Sequence, residues 1–336
     1  MCVVCTALYG LRSNGDVRAY YIAAACLLPM AAWAAPRPGT LLDAHNCYPE
    51  RQQWTNRMER ALATGLPLAI EQDLYLDRDP ASGEPRAVVA HDRPEPGTAP
   101  GLREHFFERI RPYMEKALSD NRRDQWPLIV LNLDFKTVEP ALHSAVWKLL
   151  VEYEQWISSA PRTATEAKQE PLEVRPLLVL AGNAEEHERY FHDEVPVGGR
   201  LRVFGAARVV SGSRWDTRPE WMTPEPADNY RRWWNNSWYA VEEGGQKRAG
   251  EWTAADKQRL VAMVKHAHDN GYMIRFYTLN GYTEAETTEH GTGKGYNFPS
   301  LEAAKVRWQA AIEAGVDFLA TDMYEEFGAT LGSTHR

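Results

Sequence analysis

The chain has 336 residues, 44% hydrophobic and 25% charged, with 38 Lys and Arg against 46 Asp and Glu and a formal net charge of −8. These are ordinary globular values, and the acidic balance excludes the basic surface of a nucleic-acid binder. The length fits one large α/β barrel or two smaller domains, with core enough to fold without disulfide or metal staples, while twelve Trp require a core or a wide cleft to hold them.

Residues 19–35, AYYIAAACLLPMAAWAA, carry no charge and follow Arg12 and Arg18. A charged start, a short apolar stretch and the small-x-small Ala32-Trp33-Ala34 make a secretory leader with cleavage near Ala34 or Ala35. A membrane span usually takes ~20 apolar residues, and Pro29 would interrupt it, so no stable transmembrane anchor is expected. Residues 1–35 are therefore assigned to a signal peptide and 36–336 to the mature domain, placing the protein outside the cytoplasm, secreted or periplasmic. Cleavage removes Cys2, Cys5 and Cys26 and leaves Cys47 alone, so no internal disulfide is expected.

The mature chain alternates short apolar runs with helical patterns. Leu41-Leu42-Asp43-Ala44 is a short strand ending at His45. Trp54 to Ala63 is helical and closed by Gly65. Leu68 to Tyr75 is a second strand, and Ala87 to Ala90 runs into His91 as a third extended segment. Leu102 to Leu118 is helix. Leu128 to Phe135, LIVLNLDF, is the clearest strand, and a long helix follows over 138–157. Leu177 to Leu180 is a strand; Leu201 to Phe204 and Ala207 to Val210 are weaker extended segments. The pattern then predicts a helix over 253–270 ended by Gly271, a strand over 273–279, a helix over 301–314 ended by Gly315, and a strand over 316–321. Segments 159–171, 211–235 and 281–298 read as loops. Strands alternating with helices imply a parallel sheet. No G-x-G-x-x-G follows the first strand, so a dinucleotide fold has no support. A single TIM (β/α)8 barrel fits the length.

Active sites of such barrels gather at the C-terminal strand ends, and four strand ends here are polar. They carry His45-Asn46, Glu71 with Asp73, His91-Asp92, and Asn132 with Asp134 and Lys136. Residues i and i+2 of a strand share a face, so Glu71 and Asp73 point together, as do Asn132, Asp134 and Lys136. Three carboxylates aimed into one barrel mouth repel unless a hard cation such as Mg²⁺ or Ca²⁺ takes their oxygens. With Lys136 this makes a phosphate site despite the acidic balance. His45 and His91 suit proton transfer near neutral pH, one deprotonating a nucleophile and the other protonating a leaving oxygen. The reaction class this set suits is cleavage of a phosphodiester.

His45-Asn46, Glu71-x-Asp73, VVAHD ending at Asp92, and LNLDFK ending at Lys136 together resemble the PLC-like phosphodiesterase superfamily. That group includes the glycerophosphodiester phosphodiesterases, phosphatidylinositol-specific phospholipases C and sphingomyelinase D-like enzymes. The segments IRFYTLN from Ile274 and GVDFLATD from Gly315 resemble the last two barrel strands of the glycerophosphodiesterase branch. The resemblance implies a TIM barrel, one divalent cation, Mg²⁺ or Ca²⁺, on Glu71, Asp73 and Asp134, an acid/base pair in His45 and His91, and a small-molecule or lipid phosphodiester substrate. It also implies that Lys136 meets the phosphate. His45-Asn46 departs from the His-Arg of the glycerophosphodiesterase branch, and Asp134-x-Lys136 from its Glu-x-Lys, being closer to the sphingomyelinase D-like pattern. Asn46 is then expected to orient the metal or a phosphate oxygen, and Arg275 to replace the missing arginine if it points inward.

Plainer readings compete at some positions. Trp238, with Trp233, Trp234 and Tyr239, either meets substrate at the mouth or packs in the core. Cys47 is read as a packed thiol and Asp92 as a turn residue or a partner of His91. His266 and His268, two apart on a helix, do not face each other. Gly291-Thr292-Gly293-Lys294-Gly295 is read as a loop, and Asn235-Asn236-Ser237 is a glycosylation sequon by pattern. Two other classes of function stand beside the first. One is a secreted glycoside hydrolase using paired acids and an aromatic cleft; the other is a barrel that binds a phosphoester without turning it over.

Overall fold

A computed structural model describes residues 39–50, 53–165, 169–209, 217–242, 250–290 and 297–334. Its strands are β1 (Leu41–Ala44), β2 (Leu68–Arg78), β3 (Pro85–Val89), β4 (Ile129–Phe135), β5 (Ala160–Pro161), β6 (Leu177–Ala181), β7 (Arg200–Leu201), β8 (Phe204–Ala206), β9 (Arg231–Ser237), β10 (Met273–Tyr277) and β11 (Phe318–Thr321). In chain order β1, β2, β4, β6, β8, β9, β10 and β11 pair in parallel, and β11 pairs back onto β1. The sheet is thus closed, with helices around it, as the alternating pattern implies. The leader expected over 1–35, its three cysteines and the 291–295 loop lie outside the described residues. No helix among the described residues is long and apolar enough to cross a membrane.

Alternation along the strands sorts the side chains into two layers. Ala69, Val130, Leu178, Leu180, Phe204, Trp233, Met273 and Phe318 fill the barrel interior. Ile70, Leu131, Val179, Trp234, Ile274 and Leu319 face the helices in a larger second core. The helix Ala254–Asp269 starts at a reciprocal cap, in which Thr253 Oγ1 accepts from the Asp256 amide at 3.2 Å and Asp256 Oδ2 accepts from the Thr253 amide at 2.9 Å. The helix Leu301–Ala314 ends at Gly315, whose φ of 80° is the left-handed conformation glycine adopts without strain.

Three strand expectations need correction. The segment ending at Ala90 is no barrel stave: β3 returns antiparallel on β2 and delivers His91 beside the barrel mouth. The stretch 207–209 is not extended strand, and the stave there is the three-residue β8. The segment read as a loop over 211–235 holds most of β9, RRWWNNS, which pairs with both β8 and β10. Its two arginines disguise it. Both are buried, Arg231 against Asp228 and Glu188, and Arg232 donating to the Asn229 and Glu170 carbonyls at 3.1 and 2.7 Å. A partnered arginine can be buried where an unpaired one would be expensive. The sequon Asn235-Asn236-Ser237 therefore lies in a barrel strand.

Buried neutral histidines tie stability to pH. Burial pushes His105 down to about 4, against the upward pull of its bond to the Cys47 carbonyl at 3.1 Å. Burial likewise lowers His187 to about 4, beside His143 Nε2 at 2.8 Å. In the unfolded chain both protonate near pH 6.5, so between 6.5 and 4 the unfolded state binds more protons. The stabilisation is complete above pH 6.5 and lost as pH falls toward 4, by roughly 3 kcal/mol per histidine at most. Melting followed by circular dichroism from pH 7 to 4 should show a falling Tm, with a shallower fall in His105→Gln. An equal slope in both proteins contradicts the assignment.

Candidate active site

Asp43 on β1, Glu71 on β2 and Arg275 on β10 meet inside the barrel. Arg275 is 2% exposed. Its Nε donates to Asp43, its Nη1 donates to Asn235 Oδ1 at 3.0 Å, and its Nη2 lies 3.2 Å from Glu71 Oε2. Burial works against the guanidinium's charge, but Asp43 and Glu71 outweigh it and hold Arg275 protonated. Burial also raises the Asp43 carboxyl above its ordinary value, and Glu71 adds to the rise against the pull of Arg275.

Two residues beyond Asp43, His45 stands between Glu71 and a further carboxylate, Asp322. Its Nδ1 is 3.0 Å from Asp322 Oδ1 and its Nε2 is 3.5 Å from Glu71 Oε2. Asp322 follows β11 and is held by donors: Arg57 Nη1 at 3.0 Å, Asn46 Nδ2 at 3.0 Å and Asn280 Nδ2 at 2.7 Å. Burial opposes the Asp322 charge, yet Arg57 and His45 overcome it and keep the carboxyl well below the usual range. Asn46 Nδ2 also lies 2.8 Å from Nδ1, so Asp322 and Asn46 together anchor that side of the ring and turn Nε2 to Glu71 and the cavity. Burial would lower His45, but Glu71 and Asp322 reverse that and the imidazole is raised overall.

The register of β2 against β4 sets Glu71 beside Asn132 and Asp73 beside Asp134. One oxygen from each of Glu71, Asp73 and Asp134 lies within 4.8 Å of the others. Burial, with Glu71 and Asp134 close by, raises Asp73 to about 7 despite Lys136. Tyr48 is fully buried with its hydroxyl 2.7 Å from Asp73 Oδ2 and 2.6 Å from Asn46 Oδ1, so it links the acids to the His45 loop. Asn46 itself sits at φ 54°, a conformation asparagine tolerates better than most. Lys136 Nζ is 2.7 Å from both Asp73 Oδ2 and Asp134 Oδ2.

These residues fit a hard divalent cation. The donors are all oxygens, Glu71 Oε2 is buried beside Arg275 yet accepts no hydrogen bond, and the repulsion that adds to burial in raising Asp73 is what such an ion relieves.

The site opens on a cavity of about 810 Å³. His45, Asn46, Asp134, Lys136 and Arg275 line it, and so does His91. His91 is half exposed on the loop after β3; its amide donates to Glu50 Oε2 at 3.0 Å and its Nδ1 is 3.3 Å from Asp92 Oδ1. Trp238 is a correction. It is fully buried among the helices, donates to Glu242 Oε2 at 2.6 Å and packs edge-on against Phe276. The aromatic residues on the cavity are Trp54, Trp233 and Tyr277. Arg275 reaches the cavity, with its nitrogens engaged by Asp43, Asn235 and Glu71. Cys47 is a packed thiol, 3.9 Å from Met58 Sδ and pushed by burial up to about 12. His266 and His268 bond separately to Thr223 and Asp317. Asp43, Tyr48, Arg57 and Asp322 went unassigned in the sequence. For Asp43 and Asp322 the signal was present: one lies two residues before His45, the other just past the last strand.

No protein-family model and no curated protein sequence matches the chain. Solved structures of similar architecture include a glycerophosphoryl diester phosphodiesterase from Parabacteroides distasonis, 11% identical over 90% of this chain and 89% of that one, with a TM-score of 0.44. A calcium-dependent phosphoinositol-specific phospholipase C from Pseudomonas sp. is 15% identical over 88% of this chain and 93% of that one, with a TM-score of 0.44. A Plasmodium falciparum HPPK-DHPS matches as well, 9% identical over 88% of this chain and 48% of that one, with a TM-score of 0.40. Unlike proteins share the architecture at this level, so the chemistry rests on this chain's own side chains.

Calorimetric titration of metal-depleted protein with Mg²⁺ or Ca²⁺ should give one site, weakened at least tenfold in Glu71→Gln and in Asp73→Asn. Unchanged binding in both variants would place the ion elsewhere.

Proposed function

We propose that this protein is a metal-dependent phosphodiester hydrolase of the PLC-like kind, acting on a glycerophosphodiester or phospholipid-type substrate. The observation that carries the reading is one cavity wall bearing both a three-carboxylate cluster within 4.8 Å and His45, fixed on the buried Asp322. Export through the leader at 1–35 belongs to the same proposal, and N-terminal sequencing of the protein from an exporting host should begin at Ala35 or Pro36.

Glu71, Asp73 and Asp134 would hold one Mg²⁺ or Ca²⁺. When bound, such an ion offsets charge on the phosphoryl oxygens. The protein supplies the rest. In this reading the Nδ1 proton of His45 points to Asp322, which leaves Nε2 as the atom that takes or gives a proton. His91 lines the same cavity and carries the second proton transfer. Asn46 and Lys136 stand at the cavity wall, where an amide and an ammonium orient phosphate oxygens.

Hydrolysis of a panel of glycerophosphodiesters, lysophospholipids and sphingomyelin, read by product mass with and without EDTA, tests the reading. At least one substrate should be cleaved, and EDTA should abolish cleavage. His45→Ala and His91→Ala should each lose roughly 10²–10⁴-fold in rate. Glycoside cleavage that survives EDTA would replace the proposal with a glycosidase on the same barrel. Tight binding of a phosphodiester without product would leave a silent binding barrel.

A further inference from the structure

Lys136 stands where the ion would bind. Its Nζ contacts Asp73 Oδ2 and Asp134 Oδ2 at 2.7 Å each, so it uses oxygens from two of the three carboxylates. An ammonium and a divalent cation repel, so the two compete for the charge of those carboxylates. The two ends of the cluster differ in freedom. Glu71 is clamped from below by the buried Arg275. Lys136 and Asp134 are partly exposed, at 23% and 45% of their side chains, and face the cavity. The Lys136 backbone is pinned at the strand end, its amide donating to the Leu74 carbonyl at 3.0 Å, while a lysine ammonium rides on four flexible carbons.

We propose, resting on the metal-dependent reading above, that Lys136 is the resident counter-ion of the metal-free site. It yields Asp73 and Asp134 to the entering ion, and its ammonium is thereby freed for a phosphate oxygen in the cavity. Metal-free, Lys136 offsets part of the charge of Asp73 and Asp134, and its ammonium is held by those acids rather than offered to a phosphate. Lys136 therefore acts with opposite signs on two ligands. It competes with the metal, and it supports the phosphate once the metal is in place. A lysine that merely braced the strand end would act with one sign on both.

Isothermal titration with Mg²⁺ and with Ca²⁺ compares the wild type with K136M, with K136Q as a second neutral variant and K136R as the charged control. The neutral variants should bind the ion at least tenfold more tightly than the wild type, and K136R no more tightly. Inorganic phosphate, read by the rise in Tm, should stabilise the wild type more with metal than in EDTA, and K136M less than the wild type when metal is present. Neutral variants that bind the ion as weakly as the wild type, or more weakly, overturn the inference and leave the metal-dependent reading standing. Absence of ion binding in every chain overturns the metal-dependent reading, and this inference with it.

Discussion

Arg275 is the residue on which the mouth of the barrel depends. It is buried between Asp43 and Glu71, and it allows two carboxylates to stand inside a closed sheet. Breaking a buried pair of this kind by removing one partner costs about 3–5 kcal/mol, because the other charge stays behind unpaired. Four staves, β1, β2, β9 and β10, are tied by that one guanidinium. Glu71 is thereby held toward His45, whose own orientation comes from Arg57 and from Asp322 at the end of the neighbouring stave β11.

Five carboxylates, Asp43, Glu71, Asp73, Asp134 and Asp322, are offset by three cations of the chain itself, Arg57, Arg275 and Lys136. The offset is uneven. Asp322 is over-supplied with donors and stays ionised, whereas Asp73 is raised to about 7 by burial and by its acidic neighbours. That imbalance separates two tasks. Asp322 fixes a histidine, and the Asp73 corner is left short of positive charge, which is the condition for taking up a cation. On the proposed reading, an acidic protein acquires a place for a phosphate in this way without a basic surface.

Much of this was legible in the sequence because period-two alternation is strict. Glu71-x-Asp73 and Asn132-x-Asp134 had to share faces, and the register of β2 against β4 sets them side by side. The same rule applied to Asp43 and His45 reaches the Arg275 clamp. Long-range partnerships were not legible. Nothing near Trp238 in sequence distinguishes it from Trp233, yet one packs on Phe276 in the outer layer and the other faces the cavity. The stave β9 was hidden because its arginines look solvated until Asp228 and Glu188 are seen against Arg231. Tyr48 became informative only when the fold brought its hydroxyl to Asp73.

The central claim is that Glu71, Asp73 and Asp134 form one cation site in the mouth of the barrel. Crystals of the protein soaked in Mn²⁺ and measured at the manganese absorption edge test it most directly. The account predicts one strong anomalous peak bonded to oxygens of all three carboxylates, at hard-cation distances of roughly 2.0–2.6 Å. A peak elsewhere in the molecule, or a featureless cluster at millimolar Mn²⁺, would contradict it.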